Sequence, residues 1–181
     1  MDVSRIPPGR NPPHEVNVLI EIPEGGVPVK YELDKASGAL FVNRFLHTAM
    51  YYPANYGFIP NTLSADGDPL DCLAVSQVPV TPGAVIRCRP VGALLMEDEE
   101  GTDEKVIAVP IDALNPYYQR IAELSDLPTL FRNQVEHFFR HYKDLEEGKW
   151  VRLQGWLDSA EASRLIMQCI ERFAAASADK A

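Results

Sequence analysis

Three aspartates stand close together in the acidic run 66–71, whose sequence is DGDPLD. Carboxylate oxygens are the hard ligands that Mg²⁺ prefers. Gly67 frees one backbone torsion and Pro69 fixes another, so the run must bend and can direct several carboxylates at one point. The same residue types build ordinary surface turns, and both interpretations stay open. An EF-hand is excluded, because its Gly and Glu positions hold Asp71 and Gln77 here.

A second acidic segment, 98–105, separates two predicted strands. Its three glutamates are typical of the solvated tip of a hairpin. Asp103 and Lys105 are two residues apart at the start of a predicted strand, so their side chains face the same side. We therefore take Asp98, Asp103 and Lys105 from this segment as candidate site residues.

Cationic and aromatic side chains that could bind phosphate are scattered along the chain. Arginine binds phosphate in a bidentate fork, and lysine binds it as a point charge. Each candidate lysine or arginine could be an ordinary surface residue. Lys30, however, shares a predicted strand face with Glu32. The aromatic segment 51–58 could form core, or a tyrosine hydroxyl in it could donate to a phosphate oxygen. The candidate cations are Lys30, Arg44, Lys105 and Lys143.

The elements that must position these residues are predicted from the periodicity of apolar residues. Strands are predicted at 16–22, 29–33, 40–46, 72–80, 85–91, 93–96, 105–109 and 150–157. Helical spacing predicts helices over 128–146 and 160–176, and a shorter helix near 116–124. Many short strands at this spacing indicate a small barrel or sandwich. We predict a mainly β fold, a β-barrel core with two to three α-helices packed outside it, in a single domain over 1–181.

Composition narrows the class of partner. The formal net charge of −9 argues against binding of nucleic acid and favours the gathering of divalent cations. No apolar run approaches the ~20 residues that span a membrane, and the N-terminus lacks a secretory signal, so we expect a cytoplasmic protein. Cys72, Cys88 and Cys169 form no CxxC pair, so neither a zinc knuckle nor a disulfide framework is indicated.

Several common catalytic motifs do not occur. His137 and His141 are spaced as a metal-ligand pair on a helix, but the residue after His137 is Phe138, so HExxH is not matched. The chain contains no Gly-x-Ser-x-Gly segment and no GxxxxGK[ST] phosphate loop. Serine-hydrolase and P-loop chemistry are therefore not indicated.

Taken together, these segments resemble the soluble family I inorganic pyrophosphatases in their bacterial form. The acidic run fits the family signature of three aspartates, D-x-D-[PE]-apolar-D. Further matching segments are EIP at 21–23, KYE at 30–32, GAL at 38–40, YPANYG at 52–57, VIRCRPVG at 85–92, HFF at 137–139 and HYKDL at 141–145. The matches extend from about residue 15 to residue 157. No functional position of the family pattern is substituted.

The resemblance implies both a fold and a reaction. The fold would be a closed five-stranded barrel of the OB type with helices outside it, assembled as a hexamer that is a dimer of trimers. The reaction would be hydrolysis of pyrophosphate to two phosphates by a metal-activated water, in direct in-line attack without a covalent intermediate.

The resemblance also implies residue roles. Asp66, Asp71 and Asp103 would ligate the two metals that share the attacking water, and Asp98 would join Asp103 in holding a metal that arrives with substrate. Asp68 would be the general base. The residues implied to bind the two phosphate groups are Lys30, Arg44, Tyr56, Tyr142 and Lys143. The supporting residues are Glu21, Glu32, Tyr52 and Lys105.

The charge of this residue set ties activity to metal. Its seven carboxylates against four cations leave a net charge of −3 before metal binds. Pyrophosphate near neutral pH carries roughly three to four negative charges and would be repelled. Three to four Mg²⁺ ions, bound together with substrate, would reverse the sign of the site.

Two alternatives remain open from the residues alone. A small barrel with an acidic loop could be a non-catalytic module that binds metal or an oligonucleotide. A nucleotide pyrophosphohydrolase is the second alternative, although no base or ribose pocket is identified. Phosphate release from pyrophosphate, with and without Mg²⁺ and compared with release from ATP, discriminates the three.

Overall fold

Strands fill the first two thirds of the fold and helices lie mainly in the last third, in a computed structural model that describes residues 2–178. The strands are β1 (Val16–Ile22), β2 (Val29–Leu33), β3 (Leu40–Phe45), β4 (Asn55–Phe58), β5 (Asp71–Ala74), β6 (Val85–Asp98), β7 (Gly101–Pro110) and β8 (Val151–Leu157). The α-helices are α1 (Thr129–His141) and α2 (Ser159–Ala178). Short 3₁₀ turns occupy Val3–Arg5, Pro116–Tyr118 and Leu124–Asp126.

Five strands close into a ring. β1 pairs with β4, β4 with β5, β5 with β7, β7 with β6, and β6 returns to β1. All of these pairings are antiparallel except that of β5 with β7, which is parallel. Closure removes the unpaired strand edges that an open sheet would leave. The expected mainly β fold, with a closed five-stranded OB-type barrel and helices outside it, is confirmed.

Strand β6 has 14 residues and takes part in more than the ring. Its N-terminal half pairs with β1, and its C-terminal half carries β8 as an added strand. We predicted two strands here, 85–91 and 93–96. The prediction of a break was wrong, since the register shift between Pro90 and Gly92 is a bulge within one continuous strand.

Other predicted boundaries also move. β5 ends at Ala74 instead of 80, because the Asn55 side chain bonds the following segment at Ser76, Val78 and Val80 and holds it as a loop. The segment 55–58 was not predicted as a strand, and it forms β4. Helix α1 ends at residue 141 instead of 146. The region 116–124 forms no α-helix but holds separate 3₁₀ turns.

The core lies on both faces of the sheet. Along β7, Val106 and Ala108 join the apolar cluster that includes α2, whereas Ile107 and Val109 join the cluster that includes α1. This division follows from the alternation of side chains along a strand. Each helix therefore covers its own face and braces the strands that carry the candidate site. None of the helices within residues 2–178 is both long enough and apolar enough to cross a membrane.

Candidate active site

One cavity, about 870 Å³ in volume, is lined by all fourteen candidate residues of the sequence analysis. They come from strands β1 to β7, from the segment before β4, from the acidic run and from the chain that follows α1. The fourteen are Glu21, Lys30, Glu32, Arg44, Tyr52, Tyr56, Asp66, Asp68, Asp71, Asp98, Asp103, Lys105, Tyr142 and Lys143. Residues far apart in sequence thus meet at one place, although the placement does not by itself test their roles.

The strands of the barrel carry the rigid part of the cavity. Parallel pairing of β5 with β7 sets Asp71 beside Lys105, and Asp103 lies on the same face of β7. Lys105 Nζ lies 2.6 Å from Asp103 Oδ1 and also donates to Asp71 Oδ2. The Tyr56 hydroxyl of β4 donates to the same oxygen of Asp71 at 2.5 Å. Two carboxylates are therefore joined through one ammonium group.

Lys105 keeps its charge in spite of burial. Its side chain is only 4% exposed. Burial alone would lower the lysine pKa, but the carboxylates of Asp103 and Asp71 outweigh it and raise the pKa well above its usual value. Burial raises the pKa of Tyr56, so its hydroxyl stays protonated and is a hydrogen-bond donor. These two side chains are fixed donors facing the carboxylates.

Glu21, at the end of β1, is a buried carboxyl at the edge of the cavity. Its Oε1 accepts the backbone N–H of Leu33 at 2.7 Å, which ties β1 to β2. Burial raises the pKa of Glu21 to about 8, although the Leu33 N–H opposes that change. The ionised form of Glu21 thus lacks enough positive charge around it to be stable. This property is expected of a group that supports a bound cation.

The acidic run lies on the loop between β4 and β5. Gly67 has a φ of 94°, a left-handed conformation that favours glycine. The Asp68 N–H donates to Asp66 Oδ1 at 2.9 Å, so the turn closes on itself. The Asp68 side chain is 83% exposed, and its nearest cation is Lys35 Nζ at 4.0 Å. Asp68 therefore presents an accessible carboxylate to the cavity.

The hairpin of β2 and β3 supplies cations. Lys30 and Arg44 are register partners across the hairpin. Lys30 Nζ lies 2.7 Å from Glu32 Oε1, and the Arg44 guanidinium lies 5.8 Å from the centre of the Tyr142 ring. The two cations and the Tyr142 phenol thus form one wall of the cavity, opposite in charge to the acidic run.

The chain after α1 adds a second cationic group. Lys143 Nζ lies 2.7 Å from Asp98 Oδ2 and 3.1 Å from Glu99 Oε1, and Lys149 Nζ lies 2.5 Å from the same oxygen of Glu99. Burial would raise the pKa of Glu99, but hydrogen bonds from Lys149 and Lys143 lower it to about 2. Glu99 therefore stays ionised and orients two cations.

Sequence reasoning missed residues that line this cavity or lie beside it. Glu99 was assigned to a solvated tip and is instead half-buried between two lysines. No spacing pattern could have indicated it, because its partners lie more than 40 residues away. Lys35 and Asn43 could have been predicted from the sequence, because each lies close to a candidate residue of the hairpin. Lys35 is three residues after Glu32, and Asn43 directly precedes Arg44. The cavity-lining residues that were not predicted include Asp34, Lys35, Asn43, Glu100 and Lys149.

The donor set suits a hard divalent cation, because carboxylate oxygens dominate it. Within residues 2–178, no three Asp, Glu, His or Cys side chains are already arranged as a metal cage. The Lys105 ammonium group lies between Asp71 and Asp103 instead. The carboxylates of the cavity that could hold a divalent cation include Asp66, Asp71, Asp98 and Asp103.

Known proteins match this chain over most of its length. The family model described as "Inorganic pyrophosphatase" matches residues 18–174. An inorganic pyrophosphatase of Caulobacter vibrioides is 58% identical over 96% of this chain and 98% of its own. The crystal structure of an inorganic phosphatase from Anaplasma phagocytophilum is 53% identical, with a TM-score of 0.92, over 93% of this chain and 99% of that one. The structure of an inorganic pyrophosphatase from Coxiella burnetii is 47% identical, with a TM-score of 0.89, over 92% and 98%.

The family match spans most of the chain, and the relatives align over nearly their whole lengths. Their fold and this one coincide, and the residues expected from the resemblance converge on one cavity. The chain therefore belongs to the inorganic pyrophosphatase family, and its reaction is the hydrolysis of pyrophosphate to two phosphates.

Proposed function

We propose that the chain hydrolyses pyrophosphate with Mg²⁺ as its metal, by direct in-line attack of water and without a covalent intermediate. The observation that carries this proposal is the charge of the cavity. Nine carboxyl groups and six cations line it, so its formal net charge is −3 with every carboxyl group ionised, or −2 with Glu21 protonated. An anionic substrate enters such a site only with cations, and three to four Mg²⁺ ions with bound substrate would make the site positive.

Asp66, Asp71 and Asp103 would hold the ions that share the attacking water, and Asp98 would join Asp103 in holding a further ion. Bound Mg²⁺ supplies two effects, a lower pKa of the attacking water and neutralisation of phosphate charge. Glu21 and Glu32 would support these ligands from β1 and β2. These roles are those that the resemblance implies, and the place of each carboxylate on the cavity wall supports them.

Asp68 would accept the proton of the attacking water. A general base must reach its proton within hydrogen-bonding distance and must be ionised at working pH. The exposed carboxylate of Asp68 projects from the loop into the cavity, with only Lys35 near it. Unlike Asp71 and Asp103, it is not held by Lys105.

The cations and phenols of the cavity would bind the two phosphate groups. Lys30, Arg44 and Lys143 supply positive charge, and the hydroxyls of Tyr56 and Tyr142 are donors because burial raises both pKa values. Tyr52 and Lys105 would orient neighbouring carboxylates. Such placed charge is the main source of catalysis in phosphoryl transfer.

Attack by water is favoured over a protein nucleophile. Of the described residues that line the cavity, none is Ser, Thr, Cys or His. Cys72 follows Asp71 directly, but it is fully buried, and burial raises its pKa well above the usual value. A neutral buried thiol is a poor nucleophile.

We also propose a homo-hexamer, a dimer of trimers, as the resemblance implies. Exposed apolar side chains such as Phe45, Tyr117 and Leu130 are consistent with surfaces that other subunits cover. Sedimentation or light scattering tests the assembly, and a monomeric mass at micromolar concentration would contradict it.

The proposed mechanism is tested with purified protein, pyrophosphate and a phosphate-release assay. Turnover should require Mg²⁺ and be abolished by EDTA. Asp68→Asn should lower kcat by about 10²–10⁴-fold while Mg²⁺ still binds, because it removes the base and leaves the ligands. Asp112→Asn, which changes an aspartate outside the cavity, is the matched control and should keep normal turnover. If Asp68→Asn keeps near-normal kcat, Asp68 is not the base.

A further inference from the structure

The cavity is built in two parts. Asp71 and Asp103 lie on paired strands of the barrel and are held in register by backbone hydrogen bonds. Asp66 and Asp68 lie on a loop that is joined to the barrel at its base, where the Ile59 N–H donates to the Leu70 carbonyl and the Leu70 N–H donates to Thr62 Oγ1. Contacts made beyond this base set where the acidic part of the loop lies against the strands.

Helix α2 makes such a contact. The backbone N–H of Leu63 donates to the carbonyl oxygen of Cys169 at 2.9 Å. The hydroxyl oxygen of Ser64 lies 3.8 Å from the sulfur of the same cysteine. Ser64 is two residues before Asp66, so α2 holds the loop where it enters the acidic run.

Cys169 is itself held in place. It is fully buried, in the apolar cluster that also contains Leu70 at the far end of the loop and Ile166 one helical turn earlier. Arg172 Nη2 donates to Cys169 Sγ at 3.0 Å. Burial raises the pKa of the thiol, which stays neutral. The side chain is thus a fixed spacer between helix and loop.

Hydrogen bonds inside the loop connect Ser64 to the acidic run. Ser64 also donates its N–H to the Asp68 carbonyl at 2.7 Å, and the Gly67 N–H returns to the Ser64 carbonyl at 3.2 Å. A displacement of Ser64 is therefore passed directly to the residues that carry Asp66 and Asp68. Misplacement of a reacting group by about 1 Å can cost as much as 10²-fold in rate.

We propose that Cys169 of α2 is a positioning residue for the reaction, which sets the place of the acidic run against the strand-borne carboxylates through Leu63 and Ser64. The inference rests on the roles proposed above for Asp66 and Asp68. It gives the C-terminal helix, which carries none of the candidate residues, a defined part in catalysis.

The experiment compares two cysteine-to-alanine variants. Cys169→Ala and Cys88→Ala each delete a fully buried thiol from the same apolar cluster, but Cys88 pairs with Val16 and Pro110 and does not touch the loop. Both should lower Tm by similar amounts. Only Cys169→Ala should lower kcat, by about tenfold, with KM for magnesium pyrophosphate within about twofold, because the phosphate-binding cations lie on other elements.

A second readout does not depend on turnover. Isothermal titration calorimetry with Mg²⁺ alone should show weaker binding for Cys169→Ala than for Cys88→Ala, since Asp66 moves with the loop. Cys169→Ser, which keeps a polar atom toward Ser64 and Arg172, should recover most of the kcat. Ser64→Ala approaches the same contact from the loop and leaves α2 intact, so it should reproduce part of the loss if Cys169→Ala folds poorly.

A double-mutant cycle tests whether Cys169 acts on the rate through Asp68. If Cys169 acts through Asp68, then Cys169→Ala added to Asp68→Asn should lower kcat little further, whereas independent effects would multiply. The proposal is overturned if Cys169→Ala and Cys88→Ala have the same kcat and Mg²⁺ affinity. That result would leave the role of Asp68 intact, and near-normal kcat in Asp68→Asn alone would instead contradict the proposed function.

Discussion

Single side chains set the charge of this cavity, and Lys105 is the clearest example. It is 3% exposed and donates to carboxylates from two strands, β5 and β7. A buried cation is tolerated only when it is paired and hydrogen-bonded, and Asp71 and Asp103 meet that need. The same pairing reduces repulsion between the two carboxylates before metal binds.

Replacement of Arg44 tests whether phosphate binding needs the planar guanidinium group of arginine. Arg44 lies opposite Lys30 on the hairpin and against the Tyr142 ring. Arg44→Lys should reduce kcat/KM by about tenfold, because an ammonium group cannot form two parallel bonds to one phosphate. Steady-state kinetics measure the change, with Arg152→Lys on exposed β8 as the control. Unchanged kinetics would place Arg44 outside the substrate site.

Glu21 gives a pH dependence to stability. Its pKa in the fold is about 8 against 4.5 for an ordinary glutamate, so the folded protein holds a proton that the unfolded chain has released. In EDTA, unfolding free energy should therefore fall as pH rises from about 4.5 to about 8 through this group. Glu21→Gln keeps a side-chain oxygen that can accept the Leu33 N–H. It should make the unfolding free energy depend less on pH.

Urea unfolding of both proteins at pH 5, 6, 7, 8 and 9 measures the effect. The stability difference should favour Glu21→Gln increasingly up to pH 8 and then level off. If the unfolding free energies of the wild-type protein and Glu21→Gln change in parallel over this pH range, Glu21 is ionised in the metal-free fold.

At the scale of elements, β4 combines two roles that composition could not separate. The aromatic segment that contains it was expected to be either core or phosphate-binding. The rings of Tyr52 and Tyr56 lie 5.4 Å apart and are buried, while the Tyr56 hydroxyl reaches Asp71 in the cavity. Core packing thus fixes the donor in place.

Close approach of β4 to β1 requires a glycine. Gly57 is the register partner of Ile20, and a Cβ there would overlap the backbone carbonyl of Leu19. Gly57→Ala should destabilise the fold by about 3 kcal/mol, because a strand of the closed ring must move. Gly25→Ala controls for conformation, since Gly25 has a φ of 66° with open space around it and should cost only about 1 kcal/mol.

Chemical denaturation of the two glycine variants gives the comparison. The loss for Gly57→Ala should clearly exceed that for Gly25→Ala. Equal losses would mean that the β1–β4 contact relaxes without disturbing the barrel.

At the scale of the whole molecule, negative charge is concentrated in the cavity. The chain carries a net charge of −9, and the cavity accounts for −3 of it. Carboxylates from the barrel strands, the β2–β3 hairpin and the acidic run repel one another there. Divalent ions relieve this repulsion, so metal binding and folding are coupled.

Mg²⁺ should therefore stabilise the native protein. At a free concentration 100 times the Kd, one site adds about 2.7 kcal/mol. Thermal unfolding in Mg²⁺ and in EDTA measures the shift in Tm, which Asp71→Asn should largely remove and Asp112→Asn should keep. An equal Tm in Mg²⁺ and EDTA for the native protein would contradict metal binding by these carboxylates.

Sequence alone determined the residue types of the site and much of the local structure. The acidic run, the same-face spacing of Asp103 and Lys105, and strands β1 and β2 follow from local torsional freedom and side-chain alternation. The resemblance supplied the closed five-stranded form of the barrel and the expected roles of the fourteen residues. These features depend on neighbours in sequence or on a family pattern, and both can be read from the chain.

Only the tertiary structure decided how these pieces meet. Closure of the ring through β1 and β6, the parallel register that sets Asp71 beside Lys105, and the bulge at Pro90 arise from pairing between distant segments. The contacts of Glu99 with Lys143 and Lys149 arise in the same way, and so does the contact of Cys169 with Ser64 of the loop. Long-range packing and register select one arrangement among many that local preferences allow, and no spacing rule encodes that selection.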